Sequence, residues 1–175
     1  MSLDSTKLKG HPVSLLDALP EVGENAFDFT FVKPDLSEGS LYDFEGKIRV
    51  LIGVPSLDTG VCAKEAREFN KRLEGMKDKG VVGFVISKDT PFAMRRFCEL
   101  EGIQNVIAAS DFRYTDFTRE YGTEMISGAL KGLSARVIFI IDQQNKIRYV
   151  QLVPEVTDEP DYDAVLKALE AINKA

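Results

Sequence analysis

The run Ile48-Arg49-Val50-Leu51-Ile52-Gly53-Val54 leads into Pro55-Ser56-Leu57-Asp58-Thr59-Gly60-Val61-Cys62, and a helix-forming stretch begins at Ala63. A mostly apolar run closed by a proline reads as a buried strand. Beyond it, Ala63, Ala66, Phe69, Leu73 and Met76 recur at three- and four-residue steps, the spacing of one helix face, so a helix is expected over Ala63–Met76. Cys62 therefore stands at a strand-to-helix turn, on or near the first residue of the helix. A helix N-terminus carries partial positive charge and free N–H donors, and both favour thiolate over thiol. The Thr59 hydroxyl, three residues back, is placed to hydrogen-bond that sulfur.

Downstream the element types alternate. Val81-Val82-Gly83-Phe84-Val85-Ile86 within Gly80–Ser87 reads as a second strand. Thr90 as cap and Pro91 as first residue open a helix that runs through Leu100 and stops at Gly102. Gln104–Ala109 is a third short strand, and Asp116–Tyr121 a helical turn. Ala135–Asp142 and Ile147–Val153 flank the turn Gln143-Gln144-Asn145-Lys146 as a hairpin. Asp161–Asn173 closes the chain as a helix with Tyr162, Val165, Leu166, Leu169 and Ile172 on one face. Upstream, Phe27, Phe29 and Phe31 alternate with polar residues as in a half-buried strand, and Leu41–Gly46 suits a turn or helical stub. Leu8–Leu15, with Gly10 and Pro12 near its centre, is a short hairpin within an N-terminal extension over residues 1–17. Parallel crossovers followed by an antiparallel pair and a covering helix give an α/β domain. Its mixed central sheet is flanked by helices in the order of a thioredoxin-like fold, and residues 1–175 are expected to form one domain.

The composition is that of an ordinary globular chain, 44% hydrophobic and 29% charged. A net charge of -6 argues against nucleic acid or an anionic membrane as the main partner. No apolar run approaches the roughly 20 residues that span a bilayer. The first residues lack the apolar core of a secretory signal, so a cytoplasmic location is expected. Met1-Ser2-Leu3 could be a cloning remnant. Cys62, Cys98 and the lone histidine, His11, cannot make a four-ligand zinc site, and no cofactor or metal is expected.

An ordinary thiol, with a pKa near 8.5, is only a few per cent ionised at neutral pH. Lowering that pKa to about 6 takes roughly 3.4 kcal/mol of differential stabilisation, of which a helix N-terminus supplies about 0.3–2. A charged donor must supply much of the rest. His11 lies in the remote hairpin, so an arginine is the better candidate. Arg136 enters the apolar strand Ser134-Ala135-Arg136-Val137-Ile138-Phe139, where an unpaired charge is costly. Taken alone it reads first as a solvated strand-end residue. Arg49 is a weaker rival, read as an edge-exposed polar residue. Cys98 reads either as core packing beside Phe92, Met94 and Leu100 or as a second redox thiol.

The segment from Pro55 to Cys62 resembles the Pro-x-x-x-Thr/Ser-x-x-Cys motif of peroxiredoxins, and more narrowly that of the bacterial thiol peroxidase subfamily of atypical two-cysteine peroxiredoxins. Pro91-Phe92-Ala93 through Arg96-Phe97-Cys98 resembles the subfamily's resolving-cysteine helix, and Gly132-Leu133-Ser134-Ala135-Arg136 its arginine strand. Gln151–Val156 with Glu159–Asp163 is similar to its C-terminal signature, and the Leu8–Leu15 hairpin to its N-terminal addition. Departures are small: Phe27 stands where Ala-Pro-Asp-Phe is usual, and Ile52-Gly53-Val54 where Asn-Ile-Phe is common.

The resemblance implies roles. Cys62 is the peroxidatic thiolate, and Cys98 resolves its sulfenic acid as an intramolecular disulfide. Thr59 bonds sulfur and peroxide, Arg136 holds the thiolate and polarises the O–O bond, and Pro55 shields the sulfenate. It further implies reduction of hydrogen peroxide or alkyl hydroperoxides, recycling by thioredoxin, and a homodimer. Leu57, Val61, Phe92 and Met125 suggest room for alkyl chains. The alternative is a redox-sensing disulfide module without efficient peroxide turnover.

Overall fold

The computed structural model describes residues 4–174; the reading of Met1-Ser2-Leu3 lies outside them. A hairpin of β1 (Ser5–Leu8) and β2 (His11–Ser14) precedes a seven-stranded sheet. The sheet contains β3 (Thr30–Val32), β4 (Glu38–Ser40), β5 (Ile48–Gly53), β6 (Val81–Ser87), β7 (Val106–Ser110), β8 (Val137–Ile141) and β9 (Ile147–Leu152) in the spatial order β4-β3-β7-β6-β5-β8-β9. The helices are α1 (Gly60–Arg72), α2 (Pro91–Glu101), α3 (Asp116–Glu120) and α4 (Tyr162–Asn173). β5, β6 and β7 run parallel, while β8 and β9 add antiparallel on one side and β3 and β4 on the other. This is the mixed, thioredoxin-like sheet expected from the element order.

Every residue of β5 and β8 is buried, which explains their unbroken apolar character: both sheet faces are covered. On one face, Val50, Ile52, Val85, Ala108, Ile138 and Ile140 meet Cys62, Ala66 and Phe69 of α1, Met94 of α2, and Val165, Leu169 and Ile172 of α4. On the other, Leu51, Phe84, Ile86, Phe139 and Ile141 meet Phe117 and Tyr121 around α3, with Val13 and Leu15 of the N-terminal segment. Three helices thus cover the face that holds Cys62.

Local signals explain the boundaries. Thr90 caps α2 by accepting from the Ala93 N–H, Pro91 opens it, and Gly102 ends it with φ of 65°. α1 starts at Gly60 rather than Ala63 because Thr59 is its cap. It also ends earlier than expected, at Arg72, because Gly75 (φ 77°) breaks the path and Met76 belongs to a separate 3-10 turn. The phenylalanine alternation extends beyond its strand: Phe29 and Phe31 are core, but Phe27 is exposed and packs edge-on against Tyr121. β4 has no apolar pattern to reveal it. Its Gly39 is required because a Cβ there would lie 2.8 Å from the Phe31 ring. In the first hairpin the turn is Lys9-Gly10, both with positive φ, and Pro12 sits inside β2.

Arg49 overturns its sequence reading. It is fully buried at the end of β5 remote from Cys62, donating to the Lys47 and Asp142 carbonyls and to Asn145 Oδ1. It secures the β8–β9 turn and is no rival for the thiol.

Candidate active site

Val54 prolongs the β5 pairing by donating to the Ile86 carbonyl, and the buried Pro55 then turns the chain out of the sheet. Asp89, in the loop before α2, holds the chain beyond Pro55 in place. Its carboxylate accepts from the Ser56 hydroxyl (2.7 Å), the Leu57 N–H (2.7 Å) and the Ser87 hydroxyl (2.6 Å). The loop is thereby anchored to the end of β6 before α1 begins.

Cys62 is the third residue of α1 and is completely buried. Its N–H donates to Thr59 Oγ1 at 3.3 Å, and the Thr59 hydroxyl donates to the Ser56 carbonyl at 3.1 Å. The expected Thr59 bond to sulfur is therefore not formed here. As N-cap, the hydroxyl commits its proton to the Ser56 carbonyl and its lone pair to the Cys62 amide. Thr59 acts on the thiol indirectly, by fixing the helix terminus beneath it.

Arg136 lies immediately before β8 and is 2% exposed. Its Nη1 stands 3.3 Å from Cys62 Sγ and 2.6 Å from Glu65 Oε2, and its Nε donates to the Val156 carbonyl at 3.0 Å. A guanidinium that cannot deprotonate in the interior is a fixed cation against the sulfur. Burial acts to lower the Arg136 pKa, but Glu65 and Cys62 outweigh it, so the group sits above the ordinary arginine value.

Glu65 is not among the site residues expected from the sequence. The signal was present: it is three residues after Cys62, on the helix face that carries Ala66 and Phe69. It is fully buried, and its Oε1 has no hydrogen-bond partner among the described residues. Burial pushes its pKa up to about 7 although Arg136 pulls against the shift. The site is thus a buried thiol–guanidinium–carboxyl cluster, with the guanidinium shared between sulfur and carboxyl.

Cys98, in the last turn of α2, is half-buried against the same core cluster. Both cysteines are free thiols. Burial, and then Glu99, push the Cys98 thiol up, so it rests protonated. Phe92 and Leu100, expected to pack beside it, are 69% and 78% exposed, and of the three expected neighbours only Met94 is core. Arg67–Glu101 and Arg96–Asp58 ion pairs cross between α2 and the Cys62 segment. Leu57, Thr59, Ala63, Arg96, Phe97 and Leu100 line a shallow groove there. Of the residues expected to favour alkyl chains, Leu57 and Val61 flank Cys62. Met125 is core on the other sheet face, and Phe92 lines a separate groove with Val32 and Leu36. Among the described residues no three His, Cys, Asp or Glu side chains converge on a metal position.

Residues 21–166 match the model of the Redoxin family. Over 166 residues the chain is 49% identical to a thiol peroxidase of Leptospira interrogans, spanning 94% of this chain and 96% of that protein. It is 46% identical to a thiol peroxidase of Aquifex aeolicus over 168 residues, 96% of this chain and 98% of that one. The crystal structure of a peroxiredoxin-like protein from Aquifex aeolicus superposes with a TM-score of 0.91 at 46% identity, covering 96% of both chains. A thiol peroxidase from Chromobacterium violaceum shares the fold, with a TM-score of 0.87 at 22% identity over 98% of both chains.

A buried, arginine-held thiol at a helix N-terminus on a thioredoxin-like scaffold defines a cysteine-based redox protein. The chain belongs to the redoxin family, within its bacterial thiol peroxidases.

Proposed function

We propose that the chain reduces hydroperoxides through Cys62 and is recycled by thioredoxin. The observation that carries this reading is the 3.3 Å approach of Arg136 Nη1 to a fully buried Cys62 Sγ at the start of α1. The thiolate attacks the terminal peroxide oxygen. The S–O bond forms as the O–O bond breaks, leaving a sulfenic acid on Cys62 and an alkoxide that takes up a proton to leave as alcohol, or as water from hydrogen peroxide. Arg136 faces the charge that moves from sulfur to oxygen, where a fixed donor counts most. In this reading Pro55, buried where the chain leaves the sheet, shields the sulfenate, and Thr59 holds the helix terminus.

Cys98 then attacks the sulfenic sulfur. A disulfide forms and water leaves, which limits over-oxidation. Cys62 must leave Arg136 and Cys98 must leave its packing for the sulfurs to bond, so the first turn of α1 and the last turns of α2 unwind locally. A thioredoxin dithiol reduces the disulfide by exchange. Such a cycle needs a reducing compartment, which favours the cytoplasm. Among the described residues no helix is long and apolar enough to cross a membrane.

The test is one equivalent of hydroperoxide on reduced protein, an alkylation quench within seconds, and peptide mapping. A Cys62–Cys98 linkage within one chain is expected, whereas two alkylated thiols would overturn the reading. In Cys98→Ser, one round of Cys62 oxidation survives and thioredoxin-supported cycling stops.

The homodimer belongs to the same reading. Phe92 (69% exposed), Phe112 (61%) and Leu36 (46%) flank one groove, an apolar surface suited to a second copy. Phe92→Glu with Phe112→Glu should turn a dimer into a monomer in sedimentation. A wild-type monomer at micromolar concentration would remove the dimer from the proposal.

A further inference from the structure

The hairpin of β1 and β2 lies apart from the seven-stranded sheet, yet it is sewn to both chain segments that embrace Arg136. The first segment is residues 153–157. The Lys7 N–H donates to the Pro154 carbonyl at 2.9 Å, and the Val156 N–H returns a bond to the Lys7 carbonyl at 2.8 Å. The buried Thr6 hydroxyl reaches the carbonyls of Val153 and Pro154 at 2.9 and 3.0 Å. The Glu155 carboxylate accepts from the Gly10 N–H at 2.7 Å and the Lys9 N–H at 3.1 Å, the two residues of the hairpin turn. It accepts again from the Thr157 N–H and hydroxyl. These bonds fix the Val156 carbonyl, which accepts from Arg136 Nε, while the Val153 N–H donates to the Arg136 carbonyl at 3.0 Å.

The second segment lies on the other side of Arg136. The Leu16 N–H donates to the Glu124 carbonyl and the Ile126 N–H to the Ser14 carbonyl, each at 2.9 Å. The carbonyl of Thr123, next to Glu124, accepts from the Ala135 N–H at 2.8 Å, directly before Arg136.

We propose that the N-terminal hairpin is a positioning element for the arginine at the thiol, with Glu155 as the clasp between them. The proposal rests on the assignment of Arg136 to the peroxide reaction. The guanidinium is planar, so one bond at Nε to a fixed carbonyl sets the direction of Nη1. With that carbonyl held, Nη1 faces Cys62 Sγ and Glu65 Oε2 together; with it loose, the guanidinium swings toward the buried carboxylate, and the sulfur loses its donor. Glu155 is suited to a permanent clasp. The Gly10 N–H, then the Thr157 N–H, hold its carboxyl at about 2, so it stays ionised throughout the working pH range. Being ionised, it makes the stronger, charge-assisted kind of hydrogen bond to the turn amides.

The experiment uses full-length chain carrying Cys98→Ser, so that Cys62 alone reports. Glu155→Ala, Glu155→Gln and Thr6→Val are each added. Three quantities are read: the pH at which Cys62 is half alkylated, the second-order rate of its oxidation by hydrogen peroxide, and the Tm. Glu155→Ala should raise the alkylation midpoint by about 1 unit, as expected when a thiolate loses an opposite charge. It should also slow oxidation roughly ten- to a hundredfold, the scale of a misplaced catalytic group. Glu155→Gln, which keeps one acceptor oxygen, should fall between. Thr6→Val acts on the same segment from the buried side and should shift both quantities in the same direction, which keeps the test available if Glu155→Ala folds poorly. A lowered Tm with the midpoint unmoved and the rate within twofold in these variants would overturn the proposal. Arg136→Ala is measured alongside: if it too leaves the midpoint unmoved, the assignment of Arg136 has failed rather than that of the hairpin.

Discussion

Cys62→Ser lowers the rate of hydroperoxide reduction by at least about a thousandfold, the scale on which enzymes lose activity with their covalent nucleophile. Serine fits the site without strain, so folding is not the cause. Its hydroxyl is not ionised at neutral pH even beside a guanidinium, and its oxygen cannot climb the oxidation ladder that sulfur does. The second thiol does not substitute. Cys98 is half-buried with its pKa pushed up by burial and Glu99, at the wrong end of its helix. Coupling turnover to thioredoxin and thioredoxin reductase reads the effect. Turnover within tenfold of wild type would move the reaction away from Cys62 altogether.

Arg136→Ala has the second largest effect, and it acts on activity and stability through different partners. The rate constant for Cys62 oxidation falls by about 10²–10³, as when one fixed donor to a developing charge is removed. Stability falls as well, because Glu65 is left fully buried without its only partner among the described residues. Breaking a buried pair on one side costs about 3–5 kcal/mol. Here the loss depends on pH. The Glu65 pKa, pushed up to about 7 by burial despite Arg136, lies above its ordinary 4.5. A raised carboxyl pKa favours folding fully below the unfolded value, and that contribution is lost as pH rises through the folded value. Wild-type stability from this group therefore declines between roughly pH 4.5 and about 7. Without Arg136 nothing opposes the burial effect, and Glu65 stays protonated to higher pH. Arg136→Ala should thus lose more stability at pH 8.5 than at pH 6 in urea unfolding of the reduced protein. Adding Glu65→Gln should restore most of that stability and none of the rate. Recovery of the rate would show that Arg136 serves only to neutralise Glu65.

Elements whose signal is local were legible in the sequence. The strand before Pro55, the Thr90–Pro91 opening of α2, the hairpin after Ala135 and the closing helix all stand within a residue or two of expectation. Helix caps, prolines and apolar periodicity act between near neighbours in the chain, so the amino-acid order carries them unaided. The same holds for Cys62, whose place at the start of α1 comes from a strand, a proline and a cap in succession. β4 carries no sequence signal because Glu38-Gly39-Ser40 has no periodicity. Phe27 shares the alternation yet is exposed, because an alternating pattern does not say where a strand leaves its sheet.

Which charges are buried, and with whom, is a matter of tertiary packing. Arg49 and Arg136 look alike in sequence, each a lone cation in an apolar run. One closes a distant turn and the other meets Cys62, because the antiparallel pairing of β5 with β8 sets Gly53 opposite Val137 and brings the residue before β8 to the mouth of α1. Glu65 could be placed on the inner face of its helix by counting, but its partner lies 71 positions away along the chain. Thr59 reads in sequence as a ligand of the sulfur because both sit in one motif, yet its hydroxyl caps the helix. The order of the elements and the identity of the nucleophile were readable from the chain because both rest on short-range rules. The contact of Arg136 with the sulfur, the carboxylate that competes for it and the bonds that tie the hairpin to its neighbours became visible only in three dimensions. Each depends on long-range packing that brings otherwise costly buried charges within hydrogen-bonding distance of one another.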